Sequence, residues 1–165
     1  IDPRFLFPHT GYNLRPTEIQ GAFGIHQLPK LEGLVEVRRA NAAYLSEALA
    51  PYEEWLTFPR EAPDARHSYM GYPITVKKGA PFTKGQLVQH LEGKGLATRP
   101  LLAGNIIMQP AMRDVNYRVS GSLENANYIH NNAFYIGPHQ GIGEQEREAI
   151  VSYFDEFMRR YGNNA

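Results

Sequence analysis

The sequence predicts a small α/β sandwich, a short sheet with helices packed on it, preceded by two leading helices. Three observations carry this expectation. Beyond residue 50, amphipathic helical stretches alternate with short aromatic and β-branched runs. Gly and Pro punctuate the boundaries between them. The length of 165 residues, 42% of them apolar, suits one domain that buries its own core.

Residues 1–16 hold Pro3, Pro8, Gly11 and Pro16, which interrupt both periodicities and predict an extended lead-in loop. Thr17, followed by Glu18 and the apolar set Ile19, Ala22 and Phe23, predicts an N-capped short helix that ends before Pro29. A longer helix is expected over residues 30–49. Leu31, Leu34, Val35, Arg38, Ala42, Leu45 and Leu49 share one face, Glu32, Glu36 and Arg39 lie elsewhere, and Pro51 ends it. Residues 55–58 form a strand candidate, and residues 68–76 another, with Pro73 pushing the latter toward a sheet edge or bulge.

Thr83 caps a helix that buries Leu87, Val88 and Leu91 and stops at Gly93 and Gly95, and residues 96–101 return as a strand. Residues 102–121 form the longest irregular connection, a place where function concentrates. Ser122 caps a third amphipathic helix carrying Leu123, Ala126, Ile129 and Ala133, and residues 134–136 form a brief strand. A helix over 143–161 closes the chain, with Ile150, Val151, Phe154, Phe157 and Met158 on one face.

Composition narrows the function. Seventeen Lys and Arg balance seventeen Asp and Glu, which argues against a nucleic-acid partner. No apolar run approaches the ~20 residues needed to cross a bilayer, and no leader pattern opens the chain, so neither membrane nor export is expected. The absence of Cys removes disulfides and thiolate metal sites and is compatible with a cytoplasmic location. None of the six His has a metal-ligand spacing, and no metal site is expected. No phosphate loop, GxGxxG or nucleophile elbow is present, so no catalytic residue is assigned within the chain. Ile1-Asp2-Pro3 lacks an initiator Met, and the chain reads as cut from something longer.

One segment draws the eye: Gly11-Tyr12-Asn13-Leu14-Arg15-Pro16-Thr17-Glu18, a loop feeding a helix start. Backbone amides, the Asn13 carboxamide and the Arg15 fork make an anion site there, and an ordinary capped turn with Asn13 satisfying its own backbone is the alternative. With its continuation through Gly21-Ala22-Phe23-Gly24-Ile25-His26-Gln27-Leu28-Pro29-Lys30-Leu31, this segment resembles the DegT-like sugar aminotransferase family, fold-type I enzymes that use pyridoxal phosphate. The likeness extends over residues 68–75, 97–110, 114–121 and 134–138. Within the family, the Thr98-Arg99 to Gln109-Pro110 stretch and Tyr117-Arg118-Val119-Ser120-Gly121 resemble the branch that deoxygenates C3 of CDP-4-keto-6-deoxyglucose, although Tyr128 stands where that branch is expected to carry Arg.

The resemblance implies that residues 1–29 are a cofactor-phosphate loop and short helix leading from a large domain. Residues 30–165 would then be the small C-terminal domain, with a mostly antiparallel sheet. It implies pyridoxal 5'-phosphate or pyridoxamine 5'-phosphate as cofactor, held mainly by the other domain. Asn13 would contact its phosphate across a homodimer boundary, supported by Tyr12 and Arg15. It also implies substrate contacts from Arg99, Asn105 and Arg118 to a nucleotide-linked keto-sugar. Gln109 and His139 are weaker candidates. The expected reaction is dehydration at C3 for surface polysaccharide synthesis, with an electron-donor reductase as a possible partner. Amino transfer to the same sugar class is the enzymatic alternative, and a non-catalytic dimerisation or sugar-nucleotide-binding module is the alternative of another kind. On either enzymatic reading the isolated chain is expected to be inactive.

Overall fold

The computed structural model describes residues 2–15 and 17–161; Ile1, the first residue of the Ile1-Asp2-Pro3 start, and Pro16, one of the lead-in prolines, lie outside the described residues. The lead-in opens with a single 3-10 turn, Pro3–Phe5, capped by Asp2, whose carboxylate accepts from the Arg4 amide at 3.0 Å. The single leading helix expected before Pro29 is two one-turn helices, α1 (Glu18–Gly21) and α2 (Gly24–Gln27), followed by a 3-10 turn at Leu28–Lys30. Gly21 and Gly24 sit at the break. Glycine pays the largest backbone entropy in a helix, and no buried side chain in either turn offsets that cost. Every described residue from Gly11 to Gly33 is exposed.

Helix α3 (Leu31–Ala48) enters the core only in its second half. Asn41, Ala42, Leu45 and Leu49 are buried, whereas Leu31 is 51% exposed and Leu34, Val35 and Arg38 are half-buried, so the expected core stripe is correct only beyond residue 40. Strand β1 (Leu56–Thr57) is shorter than expected, and β2 (Tyr72–Val76) omits residues 68–71 because Tyr69 adopts a left-handed φ of 46° that breaks the extended run. Helix α4 (Lys84–Gly93) starts at Thr83 as expected: its hydroxyl accepts from the Gln86 amide, and the Gln86 side chain returns the bond to Thr83 N at 2.8 Å. Gly95, at φ +87°, turns the chain into β3 (Thr98–Pro100).

The 102–121 connection is irregular apart from 3-10 turns at Ile106–Met108 and Pro110–Met112. Helix α5 (Glu124–Asn132) begins one residue later than expected. Ser122 still accepts from the Glu124 amide at 3.2 Å, but Leu123 occupies the cap, and Ala133 opens β4 (Ala133–Ile136) instead of closing the helix. Helix α6 (Glu144–Met158) follows Gly143, whose amide donates to Glu146 at 2.9 Å.

The sheet is fully antiparallel, in the order β1-β2-β4-β3. Pairing of Tyr72 with Ile136, Ile74 with Phe134 and Leu56 with Val76 puts the large apolar side chains on one face. Leu45 of α3 and Leu49 at its C-cap, Leu87 and Leu91 of α4, and Ile150, Phe154, Phe157 and Met158 of α6 seal that face. Pro73 lies in an inner strand, contrary to the expected edge. It is tolerated because β1 pairs only with Thr75 and Val76, and continuing that register would bring Pro59 opposite Pro73.

The 59–71 loop is strapped across α3 by crossed charges. Arg39 of the helix grips Glu61 of the loop at 2.6 and 2.9 Å, and Arg66 of the loop reaches back to Glu32 and Glu36. Arg38, half-buried, donates to the Tyr69 and Met70 carbonyls at 3.2 and 3.3 Å. Arg39 and the His67 amide hold the Glu61 carboxyl down at about 2.

Replacing the buried Leu45 by Ala should cost about 2–5 kcal/mol in chemical denaturation, against less than about 0.5 kcal/mol for Leu31→Ala. Because the Glu61 pKa is lowered on folding, its contribution is present above the ordinary carboxylate range and disappears as pH falls toward about 2. The His67 amide resonance should therefore hold its shift down to about pH 3 and move only below it. A midpoint at the ordinary glutamate value would show that the strap is open in solution.

Candidate functional site

Antiparallel register decides which side chains stand on the face away from the core. The row that alternates with the core positions is Pro73, Tyr135 and Arg99, each directly opposite the next. Arg99 donates to the Thr98 carbonyl at 2.9 Å and is otherwise exposed. It lines a cleft of about 490 Å³ together with Lys94, Tyr135, His139, Glu146 and Tyr153. Lys94 is already paired with Glu156 at 2.6 Å, so Arg99 is the cation of this lining left to meet a ligand that carries negative charge and polar hydroxyls.

Tyr135 also borders a second, more apolar cleft of about 290 Å³ that contains Met70, Pro73, Leu101 and Leu102. Its ring is set by Gly71. A Cβ at that glycine would come within 2.5 Å of the ring, so only a bare backbone lets Tyr135 lie there.

The six residues expected in the site do not form one constellation. Tyr12 is 97% exposed, Asn13 holds a left-handed φ of 50°, and Arg15 is exposed with no side-chain partner among the described residues. Asn105 is buried, and its carboxamide is occupied: it donates to Asn127 at 2.8 Å and accepts from the Ile107 amide at 3.4 Å, fixing the start of the irregular segment against α5. It does not line the Arg99 cleft. Arg118 is exposed on the same irregular segment. Of the weaker candidates, His139 lines the Arg99 cleft with Nδ1 accepting from the Gly141 amide at 3.1 Å. Gln109 is a buried clamp that accepts from the Phe7 amide at 3.3 Å and donates to the Ala103 carbonyl at 3.1 Å. Tyr135 and Lys94 were missed. Their only sequence signal was the alternation of β4 and the position of Lys94 after a helix end.

Three kinds of comparison show what the chain is similar to. The model of the DegT/DnrJ/EryC1/StrS aminotransferase family matches residues 2–155. The chain belongs to that family. Lipopolysaccharide biosynthesis protein RfbH of Salmonella typhimurium is 38% identical over 157 residues, and GDP-4-keto-6-deoxy-D-mannose 3-dehydratase of Yersinia pseudotuberculosis is 33% identical over 144 residues. These alignments cover 95% and 85% of this chain but 36% of each relative, so the chain spans about a third of their length. The solved structure of the E. coli GDP-4-keto-6-deoxy-D-mannose-3-dehydratase with bound hydrated PLP superposes with a TM-score of 0.75 at 31% identity, over 92% of this chain and 39% of that one.

In this DegT/DnrJ/EryC1/StrS chain, Tyr128 has a structural occupation. Its hydroxyl donates to the Val76 carbonyl at 3.0 Å and accepts from the Lys78 amide at 3.2 Å, which closes the end of β2 against α5. Among the described residues no three His, Asp or Glu side chains gather as a metal site would require, and no helix is long and apolar enough to cross a membrane.

Gly71→Ala should force the Tyr135 ring aside and cost about 1–3 kcal/mol of stability. Tyr135 fluorescence or ring resonances should shift in the same variant. A stable Gly71→Ala chain with an unmoved ring would show that the close approach is not a constraint.

Proposed function

We propose that this chain serves as the C-terminal segment of a pyridoxal- or pyridoxamine-phosphate enzyme of the cytoplasm. That enzyme removes the C3 hydroxyl of a nucleotide-linked 4-keto-6-deoxyhexose for surface polysaccharide synthesis. The observation that carries the reading is the exposed loop at Tyr12, Asn13 and Arg15, whose donors have no partner among the described residues. Beside it, Ile19, Phe23, Ile25 and Leu28 are each at least 69% exposed, an apolar strip that calls for cover by further protein. The similarity to 3-dehydratases supports the reaction.

The donor set suits the cofactor's phosphate. The Asn13 carboxamide would donate to one phosphate oxygen of the neighbouring subunit's cofactor, with the Arg15 guanidinium compensating charge and Tyr12 packing alongside. Helix α1 is a single turn, so its dipole adds little and the side chains must supply the binding. When bound, the cofactor supplies the electron sink that eases loss of a substituent next to the keto carbon. This chain's part is to hold and orient. Residues 1–29 present the phosphate loop, and residues 30–165 carry the substrate-facing sheet. Arg99 and Arg118 would pair with the nucleotide's diphosphate, and Asn105 would act by shaping the loop that follows Arg99. An electron-donor reductase would complete the deoxygenation.

Amino transfer to the same sugar class is the second reading. Tyr128 favours it, because it stands where the dehydratase branch is expected to carry Arg. The product formed by the complete enzyme separates the two: a 3-deoxy sugar or an amino sugar.

In the complete enzyme, Asn13→Ala should weaken cofactor retention by about 1.5–3 kcal/mol without unfolding the protein. Mixed with a second variant inactivated at its acid/base residue, it should regain activity, because some mixed dimers then hold one intact site. Confirmed subunit exchange without any recovery would mean that Asn13 serves its own subunit or only its own turn.

A further inference from the structure

A third cleft, of about 340 Å³, lies between the lead-in at Asp2–Phe5, the first turn of α4, β3 and the start of β4. Its walls include Phe5, Val88, Leu101 and Phe134, and two donors project among them. Lys84, half-buried, spends one N–H on the His130 carbonyl at 2.8 Å, and among the described residues no carboxylate lies within ion-pair distance of it. His130 accepts from the Asn105 amide at Nδ1, 3.2 Å away, so the neutral ring carries its proton on Nε2. That nitrogen has no partner among the described residues. Gly104, at φ +64°, holds the ring in place: a Cβ there would stand 2.1 Å from Nδ1.

The other charges at the cleft are already matched. Asp2 pairs with Arg4 at 2.7 Å, and Arg4 also reaches the Thr98 carbonyl at 3.0 Å and Glu92 at 3.3 Å. Glu92 in turn accepts from the Thr98 hydroxyl at 2.6 Å. Asp2 lies close enough to favour the Lys84 ammonium through space, yet among the described residues Lys84 alone of the lining cations makes no ion pair.

We propose that this cleft binds a small organic carboxylate, its two oxygens taken by Lys84 Nζ and His130 Nε2 and its hydrocarbon part laid on Phe5, Val88, Leu101 and Phe134. Two donors satisfy a planar carboxylate, whereas a tetrahedral phosphate would leave anionic oxygens against apolar walls. Burial pushes the Lys84 ammonium below its ordinary value, and burial together with Lys84 pushes His130 down. The charge of a bound anion would offset both effects, working on His130 against the Asn105 amide that faces Nδ1. The occupant would bridge the lead-in and the sheet, and the inference is independent of the cofactor reading.

The test uses the full 165-residue chain with benzoate as probe, followed by calorimetry and by the His130 ring resonances. Expected are saturable one-to-one binding, a rise in the His130 titration midpoint with benzoate present, and tighter binding as pH is lowered from about 8 to about 6. Lys84→Met should weaken binding at least about tenfold, and Lys84→Arg should keep most of it. Inorganic phosphate at equal concentration should bind more weakly. Absence of saturation, phosphate binding as tightly as benzoate, or equal affinity in a folded Lys84→Met variant would overturn the proposal. Should Lys84→Met fail to fold, an unmoved His130 midpoint in the unaltered chain overturns it alone.

Discussion

The alternation of a β-strand is the constraint on which this molecule depends. Because Tyr72, Ile74 and Val76 must all point one way, their partners Phe134 and Ile136 do too, and three helices close over that single face. The same rule leaves Pro73, Tyr135 and Arg99 on the far side, where no core helix covers Arg99. Core and candidate site are thus two consequences of one register. A slip by one residue would bury Arg99 and expose Phe134 together.

Much of this was legible in the sequence. The α6 stripe of Ile150, Phe154, Phe157 and Met158, the Thr83 cap, and the order of helices and strands follow from local periodicity and local hydrogen bonding. The errors fall where tertiary contacts decide. Leu31 continues a helical stripe perfectly well, yet it stays 51% exposed, because periodicity reports a face and not whether another element covers it. Residues 68–76 as a run are rich in aromatic and β-branched residues, but Tyr69 takes a left-handed turn and Gly71 gives way to a ring that lies 64 positions later in the chain. The candidate site divides the same way. Arg99 was found through motif resemblance, whereas Tyr135, Lys84 and His130 gain meaning only from neighbours that the fold brings together. Asn105 and Gln109 were noticed for their motif, and the structure gives both amides internal partners.

The polar interactions are unequal. The crossed arginine and glutamate pairs over the 59–71 loop are exposed, and exposed pairs are individually weak, typically about 0–1 kcal/mol. Their role here is geometric, since they lay the loop that delivers Gly71 beneath Tyr135. Buried amides such as Asn41, which donates to the carbonyls of Pro138, His139 and Ile142, are fewer and more demanding, because an unmatched partner there would stay desolvated.

The prolines around the sheet carry a consequence for its two margins. At one margin β1 is only two residues long, with Pro59 and Pro73 just beyond its last pair; at the other, β3 is three residues long and ends in Pro100. Both margins therefore offer few free amides to an incoming strand, the usual defence against sheet-to-sheet aggregation. Association by extending the sheet is disfavoured at both sides, so the dimer proposed above would have to use another surface, such as the exposed apolar strip around Phe23 and Leu28.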